Sequence, residues 1–253
     1  MCLLVVAWHV DPTAPLLVAA NRDERLDRPT TAATVLQGGS PRIVGGRDEE
    51  AGGTWLAVNE RGLVAGLTNR PAPQGRDHSK RSRGELPLAL AAHDDAEGAV
   101  EHFVRRFRPG DYNPSWLLVG DRRSLFYLDM TGDDEAEVRS LPPGVHILEN
   151  NPIDAGSAKQ RQVARLLPDP VRLDDGALAT VLGDHSVPDD RPELPDGVDP
   201  AVFAACVHTD RYGTRSAAIV RVPDDRGSLP EVMVADGHPC TSPFLDVGSL
   251  WRS

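Results

Sequence analysis

Chemistry is most readily available at the second residue. Cys2 directly follows the initiator methionine, and methionine is commonly removed ahead of a residue as small as cysteine. Removal leaves a thiol and a free α-amino group on one residue. An α-amino pKa of about 7.7 to 8.0 makes that amine a usable base near neutrality, so the nucleophile would carry its own base. The competing reading of Cys2 is a small buried hydrophobe. Behind the second apolar run, residues 19 to 29 read AANRDERLDRP, with Arg22, Asp23, Glu24, Arg25, Asp27 and Arg28 crowded together. If this run pairs with the first through the VDPTAP turn, its end lies beside Cys2. Strand alternation then turns Asn21 and Asp23 one way and Arg22 and Glu24 the other. One pair is expected to address the thiol and the other to brace neighbouring loops. Unpaired buried charge is costly, so the balanced signs point to a paired network, while Arg25, Asp27 and Arg28 fit a solvated turn.

A second charged feature is RPAPQGRDHSKRSR, residues 70 to 83. Arg70, Arg76, His78, Lys80, Arg81 and Arg83 oppose a single Asp77. Such a loop ahead of a helix could hold phosphate or carboxylate groups, the alternative being an ordinary solvated loop. The pairs His208-x-Asp210 and His238-x-Cys240 carry metal-compatible atoms, but each pair supplies only two ligands and reads as surface histidine. No metal and no cofactor is expected. The G-x-S-x-G elbow, P-loop, G-x-G-x-x-G and H-E-x-x-H patterns do not occur, which argues against the corresponding hydrolase, nucleotide and zinc-peptidase classes. Trp8, Trp55, Trp116 and Trp251 lack interleaved basic residues and read as core or pocket wall rather than a stacking platform.

The elements that must position these residues are mostly strands. Short β-branched or aromatic runs separated by turn residues predict strands near 3–9, 16–21, 55–59, 63–68, 116–120, 125–130, 145–149, 217–222 and 231–235. Tight connections such as VDPTAP, ERG and DRRS predict hairpins, hence largely antiparallel sheets. Helices are predicted after a Ser82/Glu85 capping box, after Asp95, after Ser157 and over residues 174 to 182. Strand runs interrupted by helix pairs indicate an α+β chain rather than alternating βαβ units. LLVVAW has no in-out alternation, so the first strand is expected to be covered on both faces. The simplest architecture is a four-layer αββα sandwich of two mainly antiparallel sheets, with the start of the chain at its centre. GDHSVPDDRPELPDGVDP, residues 183 to 200, reads as a long surface loop without chemistry.

Composition bounds the function. The 253 residues suit one domain spanning 1–253, and 40% hydrophobic with 26% charged residues describe an ordinary globule. A net charge of -11 makes nucleic acid an unsuitable general partner. Three scattered cysteines form no disulfide framework. MCLLVVAWHV lacks the basic start and small-residue cleavage site of a signal, and no run approaches the roughly 18 to 20 apolar residues of a membrane span. The reading is a cytoplasmic protein.

Cys2 before an apolar strand, ANRDE, GGTWLAVN, GLTN, SRGEL, Tyr112-Asn113 and YGTRS at 212 to 216 together resemble the NRDE proteins, relatives of transport and Golgi organisation protein 2. That family is in turn similar to N-terminal nucleophile hydrolases of the choloylglycine hydrolase and penicillin V acylase type. The resemblance implies Cys2 as nucleophile. It also implies Asn69 and Asn150 in the segments around the oxyanion hole, with the Asn150 amide and a backbone N–H near Asn69 or Arg70 as donors. Arg215 corresponds to a late active-site arginine that would hold an anionic group and lower the thiol pKa. The acylases' Arg-x-x-Asp pattern reads Asn21-x-x-Glu24 here: the acid is one methylene longer and the arginine is shifted by one place or lost. The expected ligand is a small acyl or anionic molecule, held by Arg22, Asp23, Arg70, Arg81 and Arg83. Three functions follow: an amidohydrolase or acyltransferase acting through a Cys2 thioester, a binder of acyl-CoA, lipid-like or haem-type ligands, and a purely structural domain.

Overall fold

The apolar run at the start of the chain forms strand β1 (Cys2–Trp8), whose residues are all buried. Leu4, Val6 and Trp8 enter one apolar cluster while Leu3, Val5 and Ala7 enter another, so both faces of this strand are covered. A computed structural model describes residues 2–11, 13–71, 75–132, 134–168, 173–195 and 197–252. The remaining strands are β2 (Leu16–Arg25), β3 (Thr30–Gln37), β4 (Ile43–Asp48), β5 (Leu56–Asn59), β6 (Val64–Asn69), β7 (Ser115–Gly120), β8 (Leu125–Asp129), β9 (Glu137–Ser140), β10 (Gly144–Leu148), β11 (Tyr212–Val222), β12 (Glu231–Asp236) and β13 (Leu245–Asp246). The helices are α1 (Glu85–Ala91), α2 (Ala96–Arg106), α3 (Ala158–Leu166) and α4 (Asp175–Leu182).

Six strands form one sheet in the order β10-β1-β2-β11-β12-β13, and seven form the other in the order β3-β4-β5-β6-β7-β8-β9. Every pairing is antiparallel. Three apolar clusters separate four layers. Leu4, Val18, Val64 and Leu118 fill the space between the sheets. Leu67 and Leu117 meet Leu86, Leu90 and Phe103 of α1 and α2. Leu3 and Ala19 meet Val163 and Leu182 of α3 and α4. This is the αββα arrangement, and it leaves β1 and β2 in the sheet interior with α3 and α4 above them and the second sheet below. Among the described residues no helix is long and apolar enough to cross a membrane.

Several boundaries differ from the sequence expectation. β2 runs on to Arg25, so Arg22 to Arg25 are strand, held on their far side by β11, which begins at Tyr212, while Asp27 and Arg28 follow in a turn and Arg25 and Asp27 are exposed. β3 and β4 carry little apolar periodicity: β3 is a half-exposed edge, and β4 contains Gly45 and Gly46. Gly46 is required there because a Cβ would lie 2.1 Å from the Trp55 ring. The Ser82 capping box does not form; α1 starts behind Gly84 with no side-chain cap. Asp95 and Asp174 do cap α2 and α4, and Ser157 with Gln160 forms a complete capping box on α3.

Candidate functional site

Antiparallel register sets Cys2 directly opposite Arg22. Val18 and Ala20 face the layer between the sheets, so alternation carries Arg22 and Glu24 to that face and Asn21 and Asp23 to the helix face. Cys2, Arg22 and Glu24 line a cavity of about 220 Å³ together with Asp48, Trp55, Asn69 and Arg83. Cys2 is 7% exposed. Burial pushes its thiol above the ordinary value and the Asp23 carboxylate adds to this, while the Arg22 charge and a backbone hydrogen bond from Asp23 pull the other way without prevailing. The methionine whose removal the amine-base chemistry requires lies outside the described residues.

Arg22 is the cation against the thiol. Its guanidinium lies 4.4 Å over the Trp55 ring and donates to Asp48 Oδ2 at 3.1 Å. Its Nη1 is buried with no hydrogen-bond partner, so one charged donor at the cavity wall is unspent. Asp48 is a hub: Arg28 Nε and Nη2 reach its two oxygens at 2.7 and 3.0 Å. Burial raises the Asp48 pKa, but the Arg28 hydrogen bonds, the Ala51 N–H and the two arginine charges outweigh it and hold the carboxyl below the ordinary range. Arg28 is therefore no solvated turn residue; it is 8% exposed and bidentate on Asp48. Sequence reasoning missed Asp48 altogether, because only folding brings β4 beside β2.

Arg83 enters from the opposite wall. Its Nη1 donates to the Pro114 carbonyl at 3.0 Å, and burial together with the Arg76 charge lowers its pKa to about 10. It remains a cation at neutral pH. The segment carrying it is stapled to Tyr112–Pro114: Asn113 accepts from Asp77 N–H and donates to Asp77 O, both at 2.8 Å, and Lys80 Nζ reaches Tyr112 O at 3.1 Å. The wall itself is a backbone contact. Thr54 N–H donates to Gly84 O at 2.9 Å, and a Cβ on Gly53 would lie 2.5 Å from Gly84. The GGTW, SRGEL and Tyr112-Asn113 motifs thus build one side of the cavity.

Other expected residues lie elsewhere or are committed. Asn21 points into the helix layer, donating to Leu182 O at 2.9 Å and Ala205 O at 2.8 Å. Asp23 borders the cavity, but its carboxylate accepts from Thr214 Oγ1 at 2.6 Å and Lys159 Nζ at 3.4 Å. Arg70 is exposed, and its N–H, an expected oxyanion donor, is spent on Pro114 O at 3.1 Å. Arg81 belongs to a separate depression, where it pairs with Glu85 and lies 5.1 Å over the Tyr112 ring. The basic segment is therefore not one anion patch. Arg215 sits at the β11 bulge, bonded to Leu26 O, and is not among the cavity residues. Asn150, also not among the cavity residues, donates its side-chain amide to the Asn69 carbonyl and its backbone N–H to Glu149 Oε2 at 2.6 Å, and its Oδ1 is buried without a partner.

This arrangement can hold a carbonyl or anionic oxygen at Arg22 and Arg83 beside a sulfur. The family model described as Transport and Golgi organisation 2 matches residues 1–229. The chain belongs to that family. Among curated members, the Homo sapiens Transport and Golgi organization protein 2 homolog is 29% identical over 255 residues, covering 89% of this chain and 90% of the relative. The Bos taurus homolog is 28% identical with the same coverage. Among solved structures, the Caenorhabditis elegans N-acylethanolamine-hydrolyzing acid amidase ortholog superposes with a TM-score of 0.59 at 13% identity, covering 88% of this chain and 94% of that one. A variant of conjugated bile acid hydrolase from Clostridium perfringens gives 0.51 at 12% identity, covering 97% and 96%. The chain thus has the N-terminal nucleophile hydrolase fold. Within it the NRDE motif divides by strand alternation: Asn21 and Asp23 tie β2 to the helix layer and β11, while Arg22 and Glu24 face the cavity.

Proposed function

We propose that the protein is a cysteine amidohydrolase or acyltransferase, acting on a non-peptide carbon-nitrogen bond of a small acyl substrate through a thioester on Cys2. The observation carrying this reading is the register that sets Cys2 opposite Arg22, a cation with one uncommitted nitrogen, with both residues lining one cavity. After methionine removal the α-amino group takes the thiol proton and the sulfur attacks the acyl carbonyl carbon. The resulting oxyanion is met by the Arg22 guanidinium. A pre-placed donor of this kind contributes about 3 kcal/mol in known oxyanion holes. Collapse breaks the carbon-nitrogen bond as the ammonium returns its proton to the departing amine. Water, deprotonated by the same amine, then cleaves the thioester and restores the thiol. Arg83 holds an anionic part of the substrate.

A second reading has its own support. The thiol is held protonated by burial and the Arg70 N–H is committed to the sheet, which suits a cavity that binds an acyl ligand without turnover. A panel of N-acyl amines and acyl-CoA thioesters, followed by release of free acid or acyl transfer, separates the two. The enzyme reading expects turnover that Cys2→Ala abolishes; saturable binding without turnover, unaltered by Cys2→Ala, overturns it.

A further inference from the structure

Outside the cavity, three loops converge at the far side of α4. They follow α4 (Gly183 to His185), precede β11 (Cys206 to His208) and follow β12 (His238 to Cys240). We propose that His185, His208 and Cys240 form a binding site for a borderline-soft divalent metal, zinc in the first instance, with water in the fourth position. One ligand atom from each of these residues lies within 4.8 Å of the others. Tetrahedral zinc with bonds of about 2.1 Å to nitrogen and 2.3 Å to sulfur sets neighbouring ligands about 3.6 Å apart, so modest side-chain rotations complete the site. Two imidazoles and a thiolate select this class of ion over calcium or magnesium, which take oxygen ligands.

The surroundings are those of a supported site. His185 Nδ1 lies 3.0 Å from the Cys206 carbonyl. A carbonyl only accepts, so Nδ1 carries the proton and Nε2 presents its lone pair, the outer-shell arrangement that orients metal-bound histidine. His208 is stacked on His238 with ring centroids 4.0 Å apart, which restricts its rotation. The loops are already docked: Cys206 N–H donates to Asp184 O at 2.8 Å, and the position of a Cβ on Gly183 is 3.4 Å from Cys240 Cα. His185 and His208 are exposed, leaving an entry path for the ion. The histidine pairs visible in the sequence each lacked a third ligand; it comes from His185, in the loop expected to carry no chemistry. Binding releases the Cys240 thiol proton to solvent.

The test uses the whole protein, stripped with a chelator, kept reduced with a phosphine and titrated with Co²⁺. A thiolate-to-cobalt charge-transfer band should appear, saturate at one equivalent and be displaced by Zn²⁺. Cys240→Ser should abolish the band, His185→Ala or His208→Ala should weaken Co²⁺ binding by at least about tenfold, and Cys2→Ala should leave it intact, with circular dichroism confirming each fold. At roughly a hundredfold excess of Zn²⁺ over Kd, Tm should rise by about 5 to 10 °C. Absence of the band, or a band that survives Cys240→Ser, overturns the site.

Discussion

Arg22 does two things that a lysine could not do together: it stacks on Trp55 and bonds Asp48 through one nitrogen while a second nitrogen keeps its donors uncommitted. Its charge also lowers the Cys2 pKa against burial. Arg22→Met is therefore expected to slow iodoacetamide labelling of Cys2 at neutral pH by roughly three- to tenfold, since fewer sulfurs are thiolate. The pH profile of labelling should shift alkaline. Asn21 gives the contrasting case. Asn21→Ala strips donors from two buried carbonyls, Leu182 and Ala205, and should cost about 2 to 4 kcal/mol in urea unfolding. Labelling of Cys2 in the folded variant should be unchanged; a matching loss of labelling would return Asn21 to the reacting centre. From sequence, alternation correctly split the NRDE motif into two pairs, but it could not say which pair met the thiol. That depends on which face of β2 the second sheet covers.

At the scale of elements, the site depends on loops clamped by side chains acting as substitute backbone. Asn113 holds Asp77 by two hydrogen bonds, and this fixes the segment that delivers Arg83. Asn113→Ala should raise amide exchange across residues 75 to 83 and destabilise the fold by about 1 to 2 kcal/mol. Exchange confined to Asp77 alone would contradict the clamp. The strands and capped helices were legible where apolar periodicity or an Asp or Ser cap announced them, as for β1, α2 and α3. β3 and β4 were not, because an exposed edge and a glycine pair packed under Trp55 leave no periodic trace. Arg28 was misjudged for a related reason: its partner Asp48 is on β4, twenty residues along the chain.

For the molecule as a whole, the αββα layering places β1 and β2 between two apolar layers, so charge entering there must be paired. Asp48 bears this most heavily, with its carboxyl held below the ordinary 3.8. A depressed folded-state value means the unfolded chain binds the proton first. The stabilisation is therefore complete above about pH 4 and is lost as pH falls through the folded value. Asp48→Asn should remove this part of the acid-induced loss, giving a flatter stability curve below about pH 4 and a lower plateau at neutral pH; an unchanged curve would show that the Asp48 hub does not carry it. The overall layering could be read from LLVVAW and the helix caps, and the family from its motifs. The cavity could not, since its walls come from β1, β2, β4, β6 and the segment before α1.

The most direct measurement is quenched mass spectrometry of the protein incubated with an activated acyl ester, alongside the intact mass of its N-terminal peptide. The account predicts that methionine is absent, that the acyl group resides on Cys2 as a hydroxylamine-labile thioester, and that Cys2→Ala carries none. Methionine retained in front of an unmodified Cys2, with any acyl group on Cys240 instead, would contradict it.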